Sequence, residues 1–548
     1  MTRIHYAILL AAALFARTSS GAIDPCADSR NLRLINGQIH TMDRNNSIVS
    51  SVTIQNGVFD PANKPAPCTK TIDLHGRTAV PGLIDNHNHI VALGLRPGHD
   101  TRIETATSIA DVQAIISARA KEVPAGEFIT AMGGWNPAQF TEKRLPTISE
   151  LDAAAPNHPV FVYLGFTGPS ATNSKGKAFF APKGIAVDDK GTIAANAPSV
   201  AAMNALRGIQ TFADQKRGTL DAMAYASRMG ITTSADMGVF VIPGTPDVQD
   251  AFAFDTLASG DPFHMYNAFL ALHQERRMSM RLRVFFLSMD KGLPNDDQAI
   301  PLLKERLLNA FPEFGDDMIR VSGVGEFATN WPLFGTVTPP PNYATALKFV
   351  AKQGWAFQQH SLSPEEDKLT ASTFEAANAI TPIASLHWSI AHAPRIDRAT
   401  LDRLKAVGAG IAVHPFEYLG AAGGGPPLRT IMDSGIHVGA GSDSAQISTL
   451  DPWLMIYYMV TGKNAAGQMV NAGQQLTRME AMHLYTSENG WFFHEEDKLG
   501  TIESGKLGDV VVLSGDYFDP KKVSDEGIRQ LKSVLTVVGG RVVYDAMK

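Results

Sequence analysis

Hydrophobic and polar positions change rhythm twice along this chain. Near the start, residues 32–40 (LRLINGQIH) and 49–57 (VSSVTIQNG) are short β-type runs carrying an Asn-Gly turn signal, and 76–80 (GRTAV) is a third. Near the end, GTIESGKLGDVVVLSGD (500–516) and SVLTVVGGRVVYD (533–545) are again short strands broken by glycine turns. Two β-rich ends flanking a long middle pack most simply as one small β-sandwich, which brings the chain ends together.

The middle alternates short apolar strands with helical patterns, the signature of βα units. Strands are expected at 83–89, 231–236, 282–288, 319–326, 355–360, 386–392, 409–414 and 436–443. Eight is the number that a TIM barrel requires. The stretch 100–215 between the first two is too long for one crossover. It holds another strand-like run (EFITAMGGW, 127–135) and the Gly/Pro-rich FTGPSATNSKG (166–176), and reads as an insertion near the barrel mouth. The expected organisation is a leader over 1–22, sandwich strands over 23–80, a barrel over 81–499, and returning sandwich strands over 500–548. The fold class is α/β: a (β/α)8 barrel with a small β-sandwich built from both chain ends.

In such a barrel the chemistry gathers at the C-terminal ends of the strands. The first expected strand ends in PGLIDNHNHI (81–90), where a strand's period of two turns His87 and His89 to one side. The fourth ends in Glu326, the fifth in His360, the sixth in His392 and the eighth in Asp443. An isolated histidine of this kind is more often a satisfied polar residue. Six such residues at the ends of five strands form a set of imidazoles and carboxylates that suits a divalent cation, zinc above all.

Composition changes the picture little. The 548 residues are 44% apolar and 19% charged, with a net charge of −6 and no basic run, which leaves a nucleic-acid footprint unsupported. The first residues matter more. Arg3, the apolar run YAILLAAALFA and the small-residue stretch ending near Ala22 form the pattern of a cleaved export signal. The apolar run is shorter than the about 20 residues a membrane span needs. Cys26 and Cys68 are the two cysteines, and both follow the leader. An oxidising compartment would let them pair, and their place in one small domain favours the bridge over two free thiols.

PGLIDNHNHI, AMGGWNPAQF, ATNSKG, RMGITTSADMG, SIAHAPRID and GAGSDSA, with LTRMEAMHLYTSENGWFF and GTIESGKLGDVVVLSGD, together resemble the metal-dependent amidohydrolase superfamily. Within it the chain is similar to the amidohydrolase 3 group, which includes N-substituted formamide deformylase-like proteins. The resemblance implies that His87 and His89 bind a first metal and that His360 and His392 bind a second. It also implies that Asp443 touches the first metal and takes a proton from the attacking water. Many binuclear members bridge their metals with a carboxylated lysine at the end of strand four. MIRVSGVGEFATN (318–330) contains none, and Arg320 cannot be carboxylated in that way. Glu326 offers two oxygens and the required charge, so it is assigned the bridge. The alternatives are a substrate contact or supporting acid at Glu326, and a single-metal site.

Other residues carry weaker expectations. His414, at the end of strand seven, is placed to contact a substrate or polarise its carbonyl, or else to fill a turn before Pro415. Trp135 and Asn173 match motifs of the insertion and either shape the pocket or pack it. His387, five residues before His392, is expected on the opposite face, either as packing or as support behind the ligands. The acidic runs SPEEDK (363–368) and HEEDK (494–498) are read as solvated. The expected activity is hydrolysis of a small molecule at a carbon–nitrogen bond other than a peptide bond, most simply an amide. A deaminase or cyclic-amide hydrolase on the same scaffold is the alternative, and a relative that binds without turnover is a third reading. No H-E-x-x-H helix, G-x-S-x-G elbow or phosphate-cradling loop points to a peptidase or nuclease. No membrane partner is expected once the leader is removed, and homo-oligomerisation is left open.

Overall fold

The computed structural model describes residues 26–165, 167–238, 264–332, 337–420, 424–444 and 447–547. The leader over 1–22 therefore lies outside the described residues. Eight parallel strands form the centre: β1 (Leu83–Asp85), β2 (Ile231–Asp236), β3 (Arg281–Phe286), β4 (Ile319–Glu326), β5 (Ala356–Ser361), β6 (Ser389–His392), β7 (Gly410–Val413) and β8 (His437–Ala440). They pair in sequence order, each beside the next, in register such as Gln358 with Ser389 and Ser389 with Gly410. Strands buried on both faces read as nearly continuous apolar runs, which is why RLRVFF and IRVSGVGE were legible as strands. Helices such as Phe212–Met229, Pro364–Asn378 and Pro452–Thr461 surround the barrel. The last of these, PWLMIYYMVT, is apolar almost all round and nearly all buried.

The regular ladder stops between β8 and β1, where one long backbone bond, Asn86 N to Ala440 O (3.4 Å), is reinforced by side chains. The Asn489 amide donates to Ile84 O (2.6 Å) on β1 and to Ala440 O (2.8 Å) on β8, and its Oδ1 accepts from Asn86 Nδ2 (2.9 Å). Gly439 permits this approach, because a Cβ there would lie 2.1 Å from Asn489 Oδ1. Asp85 extends the clasp by accepting from Ser442 N (2.9 Å) and Ser442 Oγ (2.6 Å).

β1 is shorter than its pattern suggests. It ends at Asp85, and residues 86–89 bend away before the helix Ile90–Gly94. Asp85 Oδ1 takes His87 N (3.2 Å) in the way an Asx turn does, so strand alternation is not what sets the direction of His87 and His89.

Both chain ends contribute to a six-stranded sheet in which Val510–Leu513 lies antiparallel to Thr78–Pro81, and Ser533–Val538 and Arg541–Asp545 follow. A four-stranded sheet of Leu32–Ile35, Val52–Gln55, Val58–Phe59 and Lys70–Asp73 faces it across a shared apolar core. A Cys26–Cys68 disulfide, with Cα atoms 5.3 Å apart, ties the first described residue to this layer. Between β1 and β2 a separate sheet joins His99–Asp100, Ile129–Met132, Val160–Tyr163, Ser170–Thr172 and Thr192–Ile193 around its own core, so the GGW segment belongs to the insertion. The insertion abuts the loop after β8: Glu104 accepts from Leu450 N and Asp451 N (3.1 Å each).

The two acidic runs are not solvated throughout. Glu495 is fully buried and pairs with Arg283 and with Arg320 (3.0 Å). Glu366 and Asp367 are buried as well, Glu366 capping its helix and Asp367 accepting from Ser361 Oγ (2.6 Å). A charge run in sequence does not reveal a buried partner distant in the chain.

Candidate metal centre

The six residues expected at strand ends meet in one place. Glu326, the last residue of β4, stands at the middle. Its Oε1 lies 3.4 Å from His89 Nε2, and its Oε2 lies 2.6 Å from His360 Nδ1, 3.3 Å from His392 Nε2 and 3.7 Å from His87 Nε2. Asp443, three residues past β8, turns Oδ1 to His89 Nε2 (3.3 Å) and His87 Nε2 (3.6 Å), and Oδ2 to His392 Nδ1 (3.6 Å). His360 and His392 approach each other at 2.9 Å between Nδ1 and Nε2. All six are buried or nearly so; His360 is the most open, with 19% of its side chain exposed.

Supporting hydrogen bonds orient the imidazoles. His87 Nδ1 meets Gln358 Oε1, and His89 Nδ1 meets the carbonyl oxygen of Gly238 at 2.6 Å. An acceptor at Nδ1 puts the ring proton there and leaves the Nε2 lone pair facing Glu326 and Asp443. The Gly238 carbonyl is itself held by Asp236 at the end of β2, which accepts from Gly238 N and Tyr266 Oη (2.8 Å each). Gln358 was missed in the sequence reading, although it lies two residues before His360 on β5 and strand alternation gives it the same face.

Electrostatics agree with the donor geometry. Burial favours the neutral acid at Glu326, but the facing His360, His392 and His89 outweigh it and hold the carboxyl well below its usual range. Asp443 is likewise held far down against the pull of burial, by His392, His87 and His89. Burial pushes His392 down to about 4, and burial with the neighbouring His87 and His392 rings takes His414 well below the ordinary imidazole range. At His89 and His360 the facing Asp443 and Glu326 carboxylates outweigh burial and raise both imidazoles, so the carboxylates carry the charge that cation binding demands, and an ion seated on these two rings would displace their protons.

Four of the six donors fit a divalent cation by their spacing, while His360 stands closer to Glu326 (2.6 Å) and to His392 (2.9 Å). Ligands at zinc distances of about 2.0–2.1 Å in a tetrahedron stand about 3.4 Å apart. Lone pairs at 3.3–3.7 Å around His87, His89, Glu326 and Asp443 match that spacing. His87 Nε2 is buried without a hydrogen-bond partner among the described residues, as a donor atom reserved for an ion would be. His87, His89 and Glu326 form one cluster able to hold an ion, and Glu326, His360 and His392 form a second. Glu326 belongs to both.

The remaining candidates sort themselves by position. His414, just past β7, is fully buried with its ring centroid 4.2 Å from that of His87. Trp135 is buried in the insertion and stacks on Phe140. Asn173 caps the helix Ser174–Phe180 and binds Val160 N and His158 O, so its amide serves the insertion's own packing. His387 lies before β6 and stacks between Trp491 and His494, away from the cluster, in keeping with a packing role.

Comparison with known proteins points the same way. The chain matches the amidohydrolase family over residues 70–544. It is 23% identical over 554 residues to the N-substituted formamide deformylase of Arthrobacter pascens, covering 94% of this chain and 98% of that one. It is 21% identical over 560 residues to a putative amidohydrolase, YtcJ, of Bacillus subtilis (strain 168), covering 93% and 98%. Among solved structures, an uncharacterized metal-dependent hydrolase from Pyrococcus horikoshii OT3 superposes with a TM-score of 0.59 at 18% identity, over 89% of this chain and 98% of that one. The atrazine chlorohydrolase TrzN from Arthrobacter aurescens TC1, complexed with zinc, does so with a TM-score of 0.54 at 15% identity, over 94% and 95%. These likenesses confirm the barrel and its added sheets. With a family match that spans most of its length, this chain belongs to the amidohydrolase family and is one of its metal-dependent hydrolases.

Proposed function

We propose that this protein hydrolyses a small molecule at a carbon–nitrogen bond other than a peptide bond, an amide being the class it suits best. The observation that carries the reading is Glu326, which turns its two oxygens to two histidine clusters while Asp443 faces the same histidines. His87, His89 and Asp443 would hold one divalent cation, zinc in first place. His360 and His392 would hold the second, and Glu326 would lie between them. Bound there, the cations supply Lewis acidity, which lowers the pKa of water and polarises a carbonyl.

The protein's own groups supply the rest. Asp443 is anionic, and its Oδ2 is the oxygen turned away from His87 and His89. That oxygen accepts the proton from the attacking water and later delivers it to the leaving nitrogen. His414 Nε2 is buried without a hydrogen-bond partner among the described residues and would donate to the substrate's carbonyl oxygen. Burial of five of the six donors limits contact with bulk solvent, and the partly exposed His360 marks the open side.

A panel of N-formyl and N-acyl compounds, assayed with the metal content of the same preparation, tests this reading. Hydrolysis should vanish on chelation, return with zinc, and fall by about 10²–10⁴-fold in Asp443→Asn. Full activity after complete metal removal would sink it, and ammonia release in place of amine or amide cleavage would move it to the deaminase alternative.

We also infer that the protein is exported. The leader pattern over residues 1–22 and the Cys26–Cys68 disulfide support this. Determining the N-terminal residue of the mature protein, expected just after Ala22, decides it.

A further inference from the structure

The environment of His414 bears on His392. His414 Nδ1 lies 3.2 Å from the backbone N–H of His392 and 2.9 Å from His392 Nδ1. A backbone N–H can only donate, so His414 Nδ1 is the unprotonated nitrogen of its ring. Its ring proton is then on Nε2, which is buried and has no partner among the described residues. The same lone pair is the nearest acceptor for a proton on His392 Nδ1. The competing acceptor, Asp443 Oδ2, is 3.6 Å away, beyond hydrogen-bond reach.

We infer that His414 is a positioning residue that locks His392 in the tautomer with its proton on Nδ1, so that Nε2 presents its lone pair to the ion held with Glu326 and His360. The assignment rests on the two-cluster reading above. It also excludes His414 Nδ1 as a ligand, although His87, His392 and His414 lie close enough together to form a third cluster. The lone pair that an ion would need is already taken by the His392 backbone. The lock spans neighbouring strands: β6 ends at His392, β7 runs beside it, and His414 follows β7 directly. Among the described residues, the other imidazoles whose Nε2 faces the cluster each have an acceptor of their own at Nδ1, Gln358 for His87 and Gly238 O for His89. His414 completes the series for His392.

The test compares His414→Phe, which keeps a ring but removes the acceptor, with His414→Gln, whose amide oxygen can take its place. Affinity for zinc is measured on the full-length protein by competition with a chromophoric chelator, alongside urea unfolding of the metal-stripped variants. His392→Ala identifies which bound ion depends on His392. For that ion His414→Phe should weaken binding by about 10–100-fold, while His414→Gln stays within a few-fold of the parent. The ion that His392→Ala leaves untouched should keep its affinity in both variants. An unchanged affinity in His414→Phe, or equal losses in Phe and Gln, overturns the inference while leaving the metal site intact. If His392→Ala alters no ion, the inference falls together with the second cluster. If the parent binds no zinc at all, the functional reading itself fails first.

Discussion

At the scale of single residues, much of the centre lies in groups that never touch an ion. Gln358 is the example. It holds the Nδ1 side of His87, and its Nε2 reaches toward Asn86 O (3.4 Å), so it steadies both the ring and the turn that carries it. Gln358→Leu, nearly equal in volume, should lower zinc affinity by about 10–100-fold while leaving the unfolding of the stripped protein close to the parent's. Competition against a chelator checks this; an unaltered affinity would show that the Gln358 contact does not orient His87. Asp85 does related work, taking Asn88 Nδ2 (2.7 Å) as well as Ser442 and His87 N. Burial pushes it up to about 6 despite those donors, which marks how little water reaches this side of the centre.

At the scale of elements, the barrel's weak point is the seam between β8 and β1, and it adjoins the chemistry. His87 O accepts from Asp443 N (2.9 Å), and Ser444 O accepts from His89 N (2.8 Å), so the segment bearing the two histidines and the loop bearing the acid are bonded directly. Asn489 supports both flanking strands from outside the barrel. Asn489→Ala takes the side-chain donor from two buried carbonyls, of which Ala440 O keeps a longer bond from Asn86 N (3.4 Å), and a buried acceptor that loses its partner costs about 1–3 kcal/mol. Urea unfolding should show a destabilisation of that order, and the variant should also bind zinc less well, because the seam sets the spacing of His87 from Asp443. The loop after β8 offers a second test. Asp451 caps the helix Pro452–Thr461, and burial with the nearby Glu104 charge pushes it up to about 8. In the folded protein it keeps a proton that the unfolded chain releases from about pH 4, so stability declines as pH rises from about 4 to about 8. Asp451→Asn keeps an acceptor for Trp453 N but has no charge to bury. Its advantage over the parent in urea midpoint should grow across that window and level off above it; a difference independent of pH would contradict the assignment.

At the scale of the whole molecule, residues from both chain ends form one layered unit beside the barrel, and the Cys26–Cys68 bond spans a sequence separation of 42 within it. In the chain-entropy account such a closed loop contributes about 2–4 kcal/mol. Unfolding with and without reductant, at fixed zinc, should differ by that amount. Ions that bind only the folded chain add a concentration-dependent increment, so the melting temperature should rise with free zinc and fall on chelation. A melting temperature indifferent to both would deny the cluster any ion.

What the sequence by itself determined was periodic or local. Eight strand patterns, two β-rich ends and the residues at the strand ends could be read because strand alternation and turn chemistry act over a few positions. Tertiary structure decided the rest. β1 stops at Asp85 because Asp85 bonds its own downstream backbone and Ser442, over three hundred positions away. The acidic run at 494–498 hides Glu495 because Arg283 and Arg320 meet it beneath the barrel. Trp135 and Asn173 belong to the insertion's own packing, and His414 faces His392, through pairings between strands that no local pattern encodes. A ligand can be guessed from its residue type and its place at a strand end. The partner that orients it is chosen by whichever distant group the closed barrel brings within hydrogen-bond reach.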